Sequence, residues 1–226
     1  MPGSSQASLR VRPSQSDLVS LRLILPVNAL AHGKSRLGVV LTAAERYVLN
    51  REFLCNILTV AALYPGLSRT LVVSACDEAL SLAQSRGAQI LREIEPSGLN
   101  PALEQARVHV YGHGASDLLL VAADLPLVRA QDLAEMVDIG RAVARPVLAT
   151  DRAGVGTNAL YLPESSPLAF QFGPDSCSLH RQQAACLGSG ALVLHRPRLA
   201  FDVDTQEDHA ELMAHLPYRT AMLSRN

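Results

Sequence analysis

The stretch 117-DLLLVAADLP-126 decides the fold. The run 117–123, apolar after Asp117, is compact and does not alternate, as a strand buried on both faces requires. It stops at Asp124, two residues before Pro126. Upstream, LRLILPV at 21–27 has the same character, and TLVVS at 70–74 and a shorter run at 88–91 follow it. Downstream, 146–150 and 156–162 complete the set. The segments between are helical. Thr42 and Glu45 form a capping box, after which Leu49, Phe53, Ile57 and Ala61 recur at helical spacing. Helices are also predicted over 77–86, 100–110 and 130–143. Strand and helix in alternation specify an α/β domain with a largely parallel sheet. Ligands of such sheets bind where strands end, near a topological switch point. That directs attention to 28–36, 95–100, Asp124 and 202–204.

Composition removes several classes. The chain has 226 residues, 48% hydrophobic and 18% charged, with 14 glycines and 13 prolines. This is a globular composition, neither disordered, collagen-like nor coiled-coil. Net charge is −1, so no bulk basic field recruits nucleic acid or an anionic membrane, and 4% aromatics with no Trp leaves little for base stacking. No apolar run reaches the roughly 18 residues of a membrane span. Residues 1–18 lack an apolar core and read as a disordered polar tail, leaving 19–226 as one domain. Cys55, Cys76, Cys177 and Cys186 lack paired spacing and read as reduced cytosolic thiols.

Five local patterns carry chemistry. The loop 31-AHGKSRL-37 combines Gly33, which permits close backbone approach, with Lys34 and Arg36, a point charge and a planar fork suited to phosphate. It is not a P-loop, and taken alone it reads first as a solvated basic loop. Asp124 faces the crevice at a strand end and could hold Mg2+, which takes one or two carboxylates plus substrate phosphates; alternatively it caps a turn before Pro126. In FDVDT, Asp202 and Asp204 share a face if extended and repel unless a cation lies between them, though Asp204 or Thr205 could cap a helix starting near Gln206. Gly98 marks a turn and Asn100 offers a donor and an acceptor to a base or ribose, or enters the next helix. Finally, 154-GVGTN-158 and 172-FGPDS-176 each pair glycine with a hydroxyl, as an anion-binding nest does. His180 stands one turn past Ser176 and could neutralise an acid, or, as a lone histidine, is structural or merely exposed. No GxSxG, HExxH or Cys–His constellation is present. The inventory suits transfer between phosphorylated ligands, where positioning and charge do the catalysis.

These stretches, in order PVNALAHGKSRL, TAAERYVLNREFL, SGLNPAL, VAADLPLV, AGVGTNALYL, FGPDSCSLH and FDVDTQEDH, cover roughly residues 20 to 212. As an ordered set they resemble the CofC/FbiD guanylyltransferases of coenzyme F420 biosynthesis. The resemblance implies a Rossmann-like three-layer α/β sandwich with a mostly parallel sheet, of the nucleotide-diphospho-sugar transferase or MobA-like kind. It implies transfer of GMP from GTP to the phosphate of phosphoenolpyruvate, 2-phospho-L-lactate or 3-phospho-D-glycerate, releasing pyrophosphate. By matching position, Asp124, Asp202 and Asp204 are implied as Mg2+ ligands. Thr157, Gly173 and Ser176 would contact the acid, and Lys34 and Arg36 the triphosphate. Gly33 would also belong to the nucleotide site, with Gly98 and Asn100 near the guanosine. The implied partners are GTP and a small phospho-acid, with neither nucleic acid nor membrane; two copies could pair as a homodimer, but no pattern requires it.

Two positions depart from the family pattern. Asn28 stands where such sequences carry Lys, and Cys177 where a bulkier apolar or aromatic residue is expected. The alternatives are a MobA-like or sugar-phosphate nucleotidyltransferase, a glycosyltransferase whose DxD holds a metal, and a non-catalytic nucleotide-binding module.

Overall fold

The apolar stretches become strands β1 (Leu21–Pro26), β2 (Thr70–Ser74), β3 (Gln89–Arg92), β4 (Asp117–Val121), β5 (Val147–Thr150), β6 (Thr157–Leu162) and β7 (Leu192–Leu194). The computed structural model describes residues 21–31, 33–94, 98–164 and 166–215. The expected tail at 1–18, His32 and the turn at 95–97 lie outside them. Among the described residues the strands form one sheet in the order β3-β2-β1-β4-β6-β5-β7. Every neighbouring pair is parallel except those made by β6, which runs antiparallel to β4 and β5.

Helices α1 (Ala43–Leu63), α2 (Asp77–Ser85), α3 (Leu99–Gly112), α4 (Ala130–Val143), α5 (Ser176–Cys186), α6 (Pro197–Ala200) and α7 (Gln206–His215) supply the connections. Successive strand residues point to opposite faces, so each face buries its own set. Leu23, Leu25, Leu119 and Val121 pack with Leu54, Ile57 and Leu58 of α1, Leu80 of α2 and Leu133 and Met136 of α4. Ile24, Leu118 and Leu120 pack with Leu103 and Ala106 of α3 and Ala184 of α5. The result is three layers, α/β/α. The capping box read at the start of α1 is present: the Thr42 hydroxyl accepts from the Glu45 amide while the Glu45 carboxylate accepts from the Thr42 amide.

A third, smaller core matters most for function. Leu37, in the 3-10 turn Ser35–Val39, packs with Phe53 of α1, Phe201, Val203 and Leu212 of α7. It fastens the loop after β1 to the segment at 201–204, so two regions far apart in sequence present their polar residues together. The switch point lies between β1 and β4, because the chain builds outward from β1 through β2 to β3 and then returns to add β4 on the other side.

Candidate functional site

At that switch point a crevice of about 330 Å3 opens at the carboxyl ends of β1 and β4. Asn28, Gly33, Lys34, Asn50, Leu99, Asp124 and Asp204 are among the residues lining it. Lys34 is the centre. Its side chain is only 8% exposed, and its ammonium donates to Asp124 and, at 2.7 Å, to Asp204. Burial alone would lower its pKa, but the two carboxylates outweigh burial and hold the ammonium above its ordinary value. Lys34 itself has a left-handed backbone (φ 62°), an uncommon conformation for a side chain of this size. The residue that comes close to Gly33 is Asn50: its carboxamide donates to the Leu30 carbonyl at 2.8 Å, and a Cβ at position 33 would meet Asn50 Nδ2 at 2.7 Å. Arg36 is exposed on the 3-10 turn and does not line the crevice.

The DxD pair divides its work. Asp204 faces Lys34, while Asp202 is turned toward Asn158, whose amide donates to it at 3.2 Å and to the Leu199 carbonyl at 3.1 Å. Burial raises the Asp202 pKa; the Asn158 bond opposes this, and the nearby Asp124 and Asp204 add to the rise. The cap of α7 is Thr205 rather than Asp204: the Asp208 amide donates to the Thr205 hydroxyl, and the Asp208 carboxylate accepts from the Thr205 and Asp204 amides at 2.8 and 3.0 Å. Arg152 pairs with the same Asp208. Asp208 thereby fixes the backbone that carries Asp204.

Among the described residues no group of three or more His, Cys, Asp or Glu side chains is gathered as a metal cage. What is gathered is a carboxylate pair, Asp124 and Asp204, already sharing one cation, the Lys34 ammonium. Two carboxylates with open positions for water and phosphate oxygens fit a hard divalent ion.

A second set of polar groups joins this edge through the reversed strand. Because β6 is antiparallel to β4, its first residues lie level with the last residues of β4: Ala159 pairs with Val121, and the Ala122 amide donates to the Asn158 carbonyl at 2.9 Å. Thr157, at the start of β6, therefore sits on the same edge as Asp124. The two glycine–hydroxyl segments meet there as well, through the Cys177 amide donating to the Val155 carbonyl at 3.0 Å. The turn 154–158 is not an open anion nest, however. The Asp151 carboxylate already accepts from the Val155 and Gly156 amides, each at 2.9 Å. The hydroxyls remain: Thr157 and Ser176 are both buried.

Of the two readings of His180, its surroundings exclude the neutralising one and favour the structural one. The ring is wholly buried, and burial pushes its pKa down to about 4, against the opposing hydrogen bond to the Ser176 carbonyl. It is neutral at physiological pH and cannot balance an acid. Asn100 is likewise committed locally: its carboxamide donates to the Phe172 carbonyl at 3.0 Å and accepts from the Phe172 amide at 2.8 Å. Instead of facing open solvent, it holds the backbone just before Gly173. Gly98 precedes α3 with φ 105°, a value that favours glycine. Asn50, Arg152 and Asp208 were not singled out by sequence, and Asn158 stood in the 154–158 motif without its bond to Asp202; only the Thr205–Asp208 spacing, a capping box, could have pointed to one of the missed residues.

Comparisons with known proteins bear on the family and the fold. The family described as guanylyl transferase CofC like matches residues 21–221. A phosphoenolpyruvate guanylyltransferase of Rubrobacter xylanophilus is 40% identical over 196 residues, covering 87% of this chain and 95% of that protein. Another from Chloroflexus aggregans is 38% identical, covering 82% and 93%. Among solved structures, the 4-diphosphocytidyl-2C-methyl-D-erythritol synthase of Anaerococcus prevotii shares the fold, with a TM-score of 0.59 at 10% identity, over 90% of this chain and 100% of that one.

Proposed function

This chain belongs to the CofC-like guanylyl transferase family, and from that premise we propose that it moves GMP from GTP to the phosphate of phosphoenolpyruvate, releasing pyrophosphate, as a step of coenzyme F420 biosynthesis. It is a nucleotidyltransferase. The choice of acid follows the names of relatives at 34–40% identity. One observation carries the reading: the Lys34 ammonium is shared by Asp124 and Asp204 in a crevice at the switch point, with Thr157 delivered to the same edge by the antiparallel β6.

In the proposed reaction an oxygen of the acceptor phosphate forms a bond to the α-phosphorus of GTP. The bond from that phosphorus to the bridging oxygen of the β-phosphate breaks, and pyrophosphate leaves with its electron pair. The acceptor phosphate is already ionised near neutral pH, so no side chain need remove a proton. Lys34 neutralises charge on the triphosphate and on the departing pyrophosphate, and Arg36, exposed on the 3-10 turn that follows, is a second cation for the nucleotide's approach. Asp124 and Asp204 would hold Mg2+, which supplies charge neutralisation and alignment at the phosphates; Asp202, expected as a third ligand, is bonded to Asn158 instead and would act from beside the pair. The Thr157 and Ser176 hydroxyls, with the Gly173 backbone, would orient the acid, and Gly98 with the start of α3 would border the guanosine.

The test is pyrophosphate release from GTP with Mg2+, run with phosphoenolpyruvate, 2-phospho-L-lactate or 3-phospho-D-glycerate, and with ATP as the control donor. Release with GTP and phosphoenolpyruvate is expected. Release with a different acid corrects the acceptor; silence with all three, in protein that binds GTP, overturns the reaction.

A further inference from the structure

His180 has no part in the transfer chemistry, yet both its ring nitrogens are engaged at the acid side of the site. Nε2 faces the Gln171 amide at 2.9 Å, and Nδ1 faces the Thr157 hydroxyl at 3.2 Å, with the Ser176 carbonyl as a further acceptor for the ring proton. A backbone N–H can only donate, so Nε2 must accept. In a neutral imidazole the single proton then lies on Nδ1. Toward His180, therefore, the Thr157 oxygen can only accept, and its own proton is free to point elsewhere. Among the described residues no protein acceptor takes that proton.

We propose that His180 is a positioning residue of the acceptor subsite: it turns the Thr157 hydroxyl into a proton donor aimed at an anionic ligand and pins the backbone of the loop that carries Gly173. The proposal rests on the phospho-acid reading above. Both functions follow from one tautomer. A carboxylate or phosphate offers only acceptor atoms, so a hydroxyl whose proton is consumed by the protein would repel it, whereas one held as an acceptor on its protein side welcomes it. Pinning Gln171 and, through Asn100, Phe172 fixes the approach to Gly173 before the ligand arrives, which lowers the entropy lost on binding. The Phe172 ring meets the imidazole edge-on, with centroids 5.0 Å apart, and packs the loop against His180.

The readouts are the two Michaelis constants and the tautomer itself. His180→Phe keeps a ring and removes both nitrogens; the KM for phosphoenolpyruvate should rise about tenfold or more while that for GTP moves less than about twofold. His180→Asn retains a donor near the Nδ1 position and should recover part of that loss. Adding His180→Phe to Thr157→Val should worsen the acid KM less than it does in the wild-type background, because the histidine acts partly through that hydroxyl. In the wild-type protein, 15N NMR of the His180 ring should report the proton on Nδ1. A proton on Nε2, equal losses for GTP and acid, or an unchanged acid KM overturns the assignment to His180 alone. Wild-type protein that binds GTP but turns over no phospho-acid overturns the proposed reaction and the acceptor role with it, and the NMR result then speaks only to the tautomer.

Discussion

Replacing Lys34 with Met should make the metal-free protein less stable and its affinity for a divalent cation higher. The ammonium makes two charge-assisted hydrogen bonds, to Asp124 and Asp204, from a side chain that is 8% exposed. Each such bond contributes about 1.5–3 kcal/mol before discounting. The carboxylates are 29% and 46% exposed, so once the lysine is gone water rehydrates them, and Met recovers apolar burial against Phe53. A net loss of about 2 kcal/mol is expected, less than the roughly 3–5 kcal/mol for breaking a fully buried pair. The same bonds oppose a metal ion, which in the wild type must displace the ammonium from both carboxylates. With Met the ion meets two uncompensated carboxylates, and its dissociation constant should fall about tenfold, the equivalent of about 1.4 kcal/mol. Urea titrations with and without Mg2+, together with calorimetric titration of Mg2+ in the absence of nucleotide, measure both effects. Metal affinity that is unchanged or weaker in Lys34→Met refutes the idea that ammonium and metal share one position. Turnover by this variant should be lost whichever way metal binding moves, because the triphosphate loses its cation.

Two further outcomes follow from the packing. His180 titrates near 4 in the folded protein against 6.5 in the unfolded chain, so the unfolded chain binds more protons between those values; the stability is complete above about pH 6.5 and falls by about 3 kcal/mol as pH drops through 4, and urea midpoints should show His180→Asn losing less stability on acidification than the wild type. Gly140, on α4, lies against the Tyr161 ring, which a methyl group there would strike; Gly140→Ala should therefore cost about 1–2 kcal/mol, the overpacking exceeding the roughly 1 kcal/mol gain in helix propensity, and a raised melting temperature would contradict this.

The sheet was legible where local pattern suffices. β2 and α4 run over the residues that the apolar run and the helical spacing specify, because each is long enough to display its period. β7 and α6, of three and four residues, are too short to have one. The direction of β6 has no local signature at all: TNALYL reads the same whichever way it pairs, and only the connection lengths and the packing of the whole sheet decide. The site divides in the same way. Lys34, Asp124 and Asp204 could be named because each stands just past an apolar run or in a short acidic pattern. The role of Asn158 could not, since its partner Asp202 lies 44 residues away; nor could Arg152, 56 residues from Asp208. The turn at 154–158 was misread because Asp151, which fills it, stands just outside the glycine pattern that drew attention.

The unreadable part and the functional part coincide for a reason. Transfer between two phosphorylated molecules needs one half-site for the donor and one for the acceptor, with reacting atoms about 3–3.5 Å apart. In a wholly parallel sheet every strand delivers its last residue to the ligand edge, so both half-sites would be built from strand ends. Reversing β6 lets a strand deliver its first residues instead, so that Thr157 and Asn158 reach the edge already occupied by Asp124. Asn158 then reaches Asp202, and Thr157 reaches His180 on α5, so a single dipeptide touches the acidic segment with one side chain and the acid-side loop's support with the other. A parallel β6 would put that dipeptide at the opposite edge of the sheet and separate the half-sites by the length of a six-residue strand, about 20 Å. The proposed chemistry thus needs a strand orientation as well as a residue pattern, and for that reason Lys34, Asp124, Asp204 and Thr157 could be listed from sequence while the meeting of Thr157 and Asn158 with that edge could not.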